Sequence, residues 1–244
     1  MELTVIGHWG GYPKAGEASS GYLLTHKGFK LLIDCGSAVL SQLQMYIKPE
    51  EIDAVILSHY HADHIADIGV LHHALLISKY VSGYDGNLPI YGHTNDQEGF
   101  STLTYKDITT GIAYGKNDCL HIGPFQIEFL QTKHPVPCYA MRITCEGKVL
   151  VYTADTSYFE ELVEFSKNAD VLLAESNFYK GMDGASAGHM TSEDAGKLAQ
   201  KANVNTLVLT HLPHFGDLNQ LKAEAAEQFE QEIILASKGL NLSL

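Results

Sequence analysis

The densest group of metal-binding side chains in the chain is Ser58-His59-Tyr60-His61-Ala62-Asp63-His64, where four such groups fall within six residues. The segment directly follows Ile52–Leu57, which is apolar apart from Asp53 and predicts a buried strand. Imidazole and carboxylate together suit Zn²⁺, Mn²⁺ or Fe²⁺. Packing alone gives no reason to gather such polar groups at a strand end. The segment therefore predicts a metal site in which His59 and His61 share one ion and the last two groups reach a second.

Further ligands are needed, because four residues cannot complete the coordination of two ions. Three single ionisable residues stand just past predicted apolar strands: His134, Asp155 and His211. The strands that precede them are predicted at Gln126–Gln131, Lys148–Thr153 and Thr206–Thr210. Open α/β sheets place their active sites at the carboxyl ends of strands. We therefore expect these three residues to complete the metal site.

The order of predicted elements sets the fold class. Each half of the chain begins with strands and continues with alternating strands and helices, which is typical of two mixed sheets packed face to face with helices outside. We expect an α/β (α+β) protein with one domain over residues 1–244. Helices are predicted from Ala66 to Tyr80, from Thr191 to Ala202 and from Asp217 to Glu230. The Gly- and Tyr-rich stretch from Ser82 to Lys116 is expected to form a rim over the site.

Two smaller expectations concern polar residues within the predicted helices. His72 is expected to be solvated or to cap a helix end. The acidic face of the last helix, including Glu224, is expected to face solvent.

Charge limits the partners that this chain can bind. Its 16 basic and 29 acidic residues give a net charge of −13, and Arg142 is the only arginine. Nucleic-acid binding relies on clustered Lys and Arg, so a general nucleic-acid binder is disfavoured. Four cysteines without a CxxC pair predict free thiols. An N-terminus without a signal-peptide pattern, and apolar runs of strand length only, predict a cytoplasmic protein that does not span a membrane.

These motifs resemble the metallo-β-lactamase superfamily over nearly the whole chain. The segment from His59 to His64 matches its HxHxDH signature, and Asp34 matches its early structural aspartate. The resemblance implies a four-layer αββα sandwich with two metal ions, most simply Zn²⁺, with Mn²⁺ or Fe²⁺ as alternatives. By this resemblance one ion is held by His59, His61 and His134, the other by Asp63, His64 and His211, and Asp155 bridges both.

A second set of motifs is similar to the RNase Z (ELAC) branch of that superfamily. Gly188-His189-Met190-Thr191 resembles its Gly-His-x-Thr element, and Glu175 matches a Glu in the preceding strand-end segment. Gly7-His8-Trp9-Gly10-Gly11-Tyr12-Pro13 resembles its glycine-rich opening loop. His189 is also predicted at a helix N-terminus, which favours an anion such as phosphate. Glu175 is expected to orient and charge the His189 ring.

One departure from the tRNA-processing members concerns substrate size. In those enzymes a tRNA-binding arm lies between the ligands equivalent to His134 and Asp155. Here 20 residues separate them, and two predicted strands occupy that length. A missing arm, a net charge of −13 and a single arginine point away from precursor tRNA as substrate. The resemblance further implies a homodimer.

The function predicted from these features is a metal-dependent phosphodiesterase acting on a small phosphodiester or nucleotide-like substrate. A hydroxide bridging the two ions attacks phosphorus, His189 stabilises the phosphoryl charge or protonates the leaving group, and Asp63 helps to orient the water. Three alternatives stay open: tRNA 3′-processing, hydrolysis of a thioester, lactone or β-lactam, and a non-catalytic binding module. The same fold hosts several of these chemistries, so fold does not decide between them.

Overall fold

The computed structural model describes all residues from Met1 to Leu244. The chain divides into two compact units, one comprising Met1–Gly115 with Lys238–Ser243 and the other comprising Lys116–Ser237 with Leu244. Each unit contains a seven-stranded mixed sheet. The prediction of two mixed sheets with helices is confirmed, whereas the single domain over residues 1–244 stays a prediction.

The first unit builds its sheet from both ends of its sequence. Its strands are β1 (Glu2–Gly7), β2 (Gly21–His26), β3 (Phe29–Ile33), β4 (Ala54–Ile56), β5 (Leu88–His93), β6 (Thr109–Tyr114) and β14 (Asn241–Ser243). They pair in the order β14-β1-β2-β3-β4-β5-β6, antiparallel as far as β3 and parallel from β3 to β6. Its helices are α1 (Val39–Leu43), α2 (Ala62–Ile65), α3 (Ile68–Val81) and α4 (Gln97–Ser101), with a 3₁₀ turn at Pro49–Glu51.

The sheet of the second unit is likewise half antiparallel and half parallel. Its strands are β7 (Cys119–Ile122), β8 (Phe125–Gln131), β9 (Tyr139–Cys145), β10 (Lys148–Tyr152), β11 (Val171–Glu175), β12 (Thr206–Thr210) and β13 (Glu232–Leu235). Pairs are antiparallel from β7 to β10 and parallel from β10 to β13. Its helices are α5 (Glu160–Phe165), α6 (Ser192–Ala202) and α7 (Leu218–Ala226), with a 3₁₀ turn at Ala185–Ala187.

Local sequence explains several of these elements. The β2–β3 hairpin turns at Lys27 and Gly28, whose φ angles of 48° and 88° match the two left-handed positions of a type I′ turn. At the start of α6, the Thr191 hydroxyl and the Asp194 carboxylate form the reciprocal capping box that their spacing predicts. None of the helices is long and apolar enough to cross a membrane.

Strand direction determines which side chains meet. In the second unit β10, β11 and β12 are parallel, so their carboxyl ends lie at one edge of the sheet. β8 is separated from β10 by two antiparallel pairings and therefore runs in the same direction. In the first unit β3 and β4 are parallel neighbours. The residues that follow these strands are accordingly gathered at one sheet edge within each unit.

Two expectations from the sequence, those for His72 and Glu224, were wrong. The stretch from Ser82 to Lys116 forms β5, α4 and β6, and its role as a rim stays a prediction. The helix predicted from Ala66 to Tyr80 is present as α3, which begins at Ile68 because the Asp67 N–H donates to Cys35 O and the Asp67 carboxylate accepts from Leu40 N. His72 is buried and stacks on Tyr105 at 5.1 Å. Glu224 is buried as well, because its carboxylate accepts hydrogen bonds from Lys180, Ser192 and Gln220.

Helices α6 and α7 pack closely where α6 carries Gly196. A Cβ atom at this position would lie 2.4 Å from the carbonyl oxygen of Ala225 on α7. Because that oxygen belongs to helical backbone, it cannot move aside cheaply. The glycine is therefore required for the distance at which the two helices pack.

We predict that Gly196→Ala lowers the free energy of unfolding by about 1–3 kcal/mol, because the added methyl separates α6 from α7. The matched control is Gly69→Ala in α3, where an added Cβ would have no atom within 4 Å. That control should gain about 0.5–1 kcal/mol from the better helix former. Urea unfolding of both variants measures the difference, and equal gains in stability would contradict the packing argument.

Candidate metal centre

Four of the predicted ligands lie together in the first unit, where the chain leaves β4 and enters α2. His59 Nε2 lies 3.1 Å from His61 Nδ1, and the rings of His59 and His64 are 4.1 Å apart. Asp63 Oδ2 lies 3.5 Å from His64 Nε2. Three of the four side chains are buried. The turn after β4 therefore concentrates three imidazoles and one carboxylate in a small volume.

Asp34, at the end of the neighbouring strand β3, orients two of these imidazoles. Its Oδ2 accepts a hydrogen bond from His64 Nδ1 at 2.7 Å and another from the Ser58 hydroxyl at 2.9 Å. Because that hydroxyl donates its proton to Asp34, it accepts from His59 Nδ1 at 3.0 Å. Both rings thus carry their proton on Nδ1 and their lone pair on Nε2, which is the tautomer that binds a metal.

The glycine-rich N-terminal loop also reaches this cluster. The backbone N–H of Gly11 donates to Asp63 Oδ2 at 2.7 Å. On the other side Gly36 lies so close that a Cβ there would be 1.8 Å from the Asp63 carbonyl oxygen. In the same loop, burial lowers the pKa of His8 to about 4, so its imidazole is neutral at physiological pH. The loop therefore holds the Asp63 carboxylate without adding a positive charge from His8.

The second unit gathers a further set around Asp155. The Oδ2 atom of Asp155 lies 3.4 Å from His211 Nε2 and 3.9 Å from His134 Nε2. Ligands bound tetrahedrally to one zinc ion are about 3.3 Å apart, given metal–ligand bonds of about 2.0–2.1 Å. His134 Nδ1 donates to the carbonyl oxygen of Gly188 at 3.0 Å, which again leaves the lone pair on Nε2. One carboxylate oxygen is thus approached by two metal-binding imidazoles.

Three of the nine non-glycine residues with a positive φ lie at the strand ends that carry these residues. Asp34, Ala154 and His211 have φ angles of 55°, 50° and 51°, in the left-handed region that non-glycine residues rarely adopt. Each follows a strand of the parallel part of a sheet, and Ala154 directly precedes Asp155. Such strain costs roughly 1–3 kcal/mol per residue and is concentrated at functional sites. It identifies these strand ends as positions built for a site rather than for stability.

His189 and Glu175 form a hydrogen-bonded pair in the second unit. His189 Nδ1 lies 2.8 Å from Glu175 Oε1, which also accepts from the backbone N–H of Thr156 at 2.8 Å. The Glu175 side chain is fully buried, whereas that of His189 is 17% exposed. The His189 ring stacks on that of His211 with centroids 5.3 Å apart. A buried carboxylate therefore orients an accessible imidazole beside the Asp155 cluster.

The loop that carries His189 needs a glycine at position 188. Gly188 has a φ of 79°, and a Cβ there would lie 2.4 Å from the Pro135 ring and 3.1 Å from His134 Nδ1. Only glycine permits both this conformation and this close approach. The Gly-His pair of the sequence motif is thus a structural requirement for placing His189 against His134.

Three residues that contact the two clusters were not identified from the sequence. The Ser58 hydroxyl links Asp34 to His59, and the Thr156 backbone N–H donates to Glu175. Glu224 on α7 accepts from the backbone of the loop that carries His189. Burial alone would raise the pKa of the Glu224 carboxyl, but hydrogen bonds from Lys180, Ser192 and Gln220 lower it below its ordinary value. Sequence spacing does not predict such contacts. Most of them join residues far apart in the sequence, and Ser and Thr occur too widely to mark a site.

All nine predicted site residues lie in these two clusters. The first unit brings together His59, His61, Asp63 and His64, and the second brings together His134, Asp155, Glu175, His189 and His211. The donor types suit a divalent ion, because imidazoles with Nδ1 held by oxygen acceptors surround buried carboxylates. Which residues bind which ion stays a prediction.

Comparison with known proteins identifies the family. Residues 30–212 match the family described as the Beta-lactamase superfamily domain. A probable metallo-hydrolase of Bacillus subtilis (strain 168), YhfI, is 53% identical over 239 residues, covering 98% of each chain. Its crystal structure matches with a TM-score of 0.98, at 52% identity, covering 99% of this chain and 98% of that one. The chain belongs to the β-lactamase superfamily.

The ribonuclease Z branch of this superfamily is a more distant relative. Ribonuclease Z of Methanopyrus kandleri is 25% identical over 276 residues, covering 98% of this chain and 96% of its own. The resemblance to this branch that the motifs indicated is therefore confirmed, and so is the metallo-β-lactamase fold.

We predict that Asp34→Asn weakens zinc binding by about 10–100-fold, as removal of outer hydrogen bonds to metal ligands typically does. In the variant, an amide whose oxygen accepts from His64 Nδ1 must turn its NH₂ group toward the Ser58 backbone N–H, which is also a donor. Either the hydrogen bond from His64 or the one from the Ser58 N–H is therefore lost. The control is Asp53→Asn, which changes an exposed carboxylate whose Oδ2 atom accepts from the Lys30 backbone N–H. Zinc competition against a chromophoric chelator measures both variants, and equal affinities would refute the orienting role of Asp34.

Proposed function

We propose that the chain is a metal-dependent hydrolase that cleaves phosphodiester bonds in small or nucleotide-like substrates. The observation that carries this proposal is the pair His189–Glu175 beside the Asp155 cluster. It combines an oriented imidazole, able to donate a proton or stabilise an anion, with a set of metal ligands. Phosphodiester hydrolysis needs both, because negative charge accumulates on the phosphoryl oxygens and on the leaving oxygen.

The proposed ligand sets are those that the resemblance to the superfamily implies. One ion would be held by His59, His61, His134 and Asp155, and the other by Asp63, His64, His211 and Asp155. Asp155 would serve both ions, and within its own unit its Oδ2 atom is approached by the imidazoles of His134 and His211. We take Zn²⁺ as the preferred metal, since imidazole and carboxylate ligands suit it, with Mn²⁺ or Fe²⁺ as alternatives.

Named relatives support a hydrolase that acts on phosphoesters. YhfI is described as a probable metallo-hydrolase, and the more distant relatives include ribonuclease Z, whose printed name denotes cleavage of RNA. Between His134 and Asp155 this chain holds the paired strands β9 and β10, joined at Glu146 and Gly147. That segment leaves no length for a binding arm at this place, which favours a small substrate over tRNA.

Bound divalent ions would supply Lewis-acid stabilisation of the phosphate and lower the pKa of the attacking water. The chain's own residues then carry the proton transfers. Asp63, whose Oδ2 atom accepts from the Gly11 N–H, would orient the water. His189 in its protonated form donates from Nε2 to the leaving oxygen, while Glu175 accepts from Nδ1 and stabilises the charged ring.

We predict that His189→Ala lowers phosphodiesterase turnover by about 10²–10⁴-fold, the usual contribution of a positioned general acid. Metal content should stay at the wild-type value, because His189 belongs to neither proposed ligand set. Glu175→Gln should lower turnover less, since an amide can still accept from His189 Nδ1 but carries no charge to stabilise the protonated ring. Hydrolysis of bis-p-nitrophenyl phosphate, with metal analysis of each variant, tests both expectations.

The same assay separates the alternatives when other substrates are added. Turnover of cyclic nucleotides or linear dinucleotides supports the proposal, and faster cleavage of a 3′-extended tRNA would replace it by RNA processing. Preference for a thioester, lactone or β-lactam would assign a different hydrolase chemistry. A metal-loaded protein without turnover on this whole panel would favour a binding module.

A homodimer is the assembly that we propose for this enzyme. Helix α3 exposes Val70, Ile77, Tyr80 and Val81, and its 14 residues contain no Asp or Glu although the chain has 29 acidic residues. Two copies, each with a charge of −13, meet most favourably on a helix that carries no carboxylate of its own, and the neighbouring Asp107 is ion-paired with Lys79 of α3. This helix is therefore the surface that we assign to the dimer.

We predict that Ile77→Glu converts the dimer to a monomer, because it places a carboxylate in the apolar face of α3. The control is Met45→Glu, which changes an exposed apolar residue outside α3. Light scattering of the eluted protein should give twice 26.8 kDa for the wild type and the control. A wild-type mass of one chain would refute the proposed assembly.

A further inference from the structure

Glu224 is a buried carboxylate outside the proposed ligand sets. It lies on α7 with 7% of its surface exposed, although its helix face was expected to be solvated. Its oxygens accept hydrogen bonds from the Lys180 backbone N–H at 2.8 Å, from the Ser192 hydroxyl and from Gln220 Nε2 at 2.7 Å. Burying a carboxylate is costly unless its oxygens are satisfied, so this arrangement requires all of these donors.

Two of these donors lie at opposite ends of the loop that carries His189. Lys180 stands near its beginning, five residues after the end of β11, and Ser192 is the first residue of α6. The ends are also joined directly, because Ser192 N donates to Phe178 O at 2.9 Å and Phe178 N donates to Met190 O at 3.3 Å. The Oε2 atom of Glu224 therefore accepts from both ends of this loop and joins them at its base.

Close packing of α6 on α7 is what brings Glu224 within reach. Gly196 lies one helical turn after Ser192, and its missing side chain lets the backbone at Ala225 approach. Glu224 precedes Ala225 and is thereby directed at the N-terminus of α6. The positive end of the α6 dipole further favours a carboxylate at this position.

Neighbouring charges on α7 act differently from Glu224. Glu227 is ion-paired with the Lys180 ammonium group, which also lies 3.2 Å from Glu193. These are exposed pairs between side chains, and such pairs contribute little. Glu224 instead binds the loop backbone and the first hydroxyl of α6, so it restrains where the loop sits.

We propose that Glu224 is a positioning residue that holds the loop from Phe178 to Ser192 so that the His189 imidazole meets Glu175. Its effect on catalysis rests on the function proposed above, whereas its effect on the position of the ring does not. The hydrogen bond from His189 Nδ1 to Glu175 Oε1, at 2.8 Å, depends on the position of this loop. The loop is also tied at Gly188 O, which accepts from His134 Nδ1, and at the Tyr179 hydroxyl, which donates to Phe215 O, but neither bond joins its two ends as Glu224 does. Releasing its base moves the ring relative to a fully buried acceptor.

The kinetic test compares Glu224→Ala with Glu224→Gln and with the control Glu227→Ala, all as full-length metal-loaded protein. We expect Glu224→Ala to lower kcat about 10–100-fold, as displacement of a catalytic group by about 1 Å does, with KM nearly unchanged. Glu224→Gln should recover most of the activity, because its amide oxygen still accepts from Lys180 and Ser192. Glu227→Ala should match the wild type. Unchanged kcat in folded Glu224→Ala would overturn the catalytic part of the inference.

Combining variants separates this inference from the proposed function. In a His189→Ala background, Glu224→Ala should cause no further loss of turnover, because both changes remove the same contribution. A full additional loss would overturn the inference. If His189→Ala alone leaves turnover unchanged, the proposed acid fails, and the position of the ring is then judged by spectroscopy.

The spectroscopic readout is the Nδ1 proton of His189 in the NMR spectrum, assigned by its absence from His189→Ala. Held against Glu175, this proton should resonate downfield and exchange slowly with water. We expect the signal to broaden or disappear in Glu224→Ala and to persist in Glu227→Ala. An unchanged signal in Glu224→Ala would overturn the positioning role. If that variant does not fold, Ser192→Ala removes one of the same bonds, and an unchanged signal and kcat there would overturn it equally.

Discussion

The hydrogen bond between Asp34 and His64 is the interaction on which the first cluster depends. Asp34 fixes the tautomer of His64 directly and that of His59 through the Ser58 hydroxyl, so one carboxylate prepares two imidazoles for a metal. It does so from a left-handed backbone conformation that costs free energy. The packing that supports this strained residue comes from the apolar strand β3, which it follows, and from β4, which pairs with β3 in parallel.

In the second unit, too, oxygen acceptors orient the imidazoles through Nδ1, but the acceptors are different groups. His134 is oriented by a backbone carbonyl and His189 by the buried Glu175, so each imidazole has its Nδ1 proton committed to an oxygen. Glu175 is the last residue of β11, whereas the carbonyl that orients His134 belongs to Gly188, whose positive φ requires a glycine in the loop. Loop geometry is therefore as much a part of this site as the ligands, and Glu224 extends that dependence to α7.

Under the proposed function, an acidic chain would bind a phosphoester only if its negative charges lay away from the bound phosphate. Carboxylates within the clusters are buried and accept hydrogen bonds from imidazoles and backbone N–H groups. Bound divalent ions would reverse the local sign, while the exposed acidic residues still repel a long polyanion. This distribution suits a small phosphate-bearing substrate and is consistent with the short β9–β10 connection between His134 and Asp155.

The sequence by itself determined the two mixed sheets, the metal-binding residue types and the Gly-His element, because strand periodicity and the HxHxDH spacing are local signals. Tertiary structure alone decided the roles of Ser58, Thr156 and Glu224, since their partners are brought near only by strand order or helix packing. It likewise made β5 and β6 strands within a Gly- and Tyr-rich stretch for which the sequence predicted no regular element, because β5 pairs in parallel with β4 and β6 pairs in parallel with β5. Pairing across long sequence separations leaves no periodic trace, and the contacts that hold a side chain in place are of that kind.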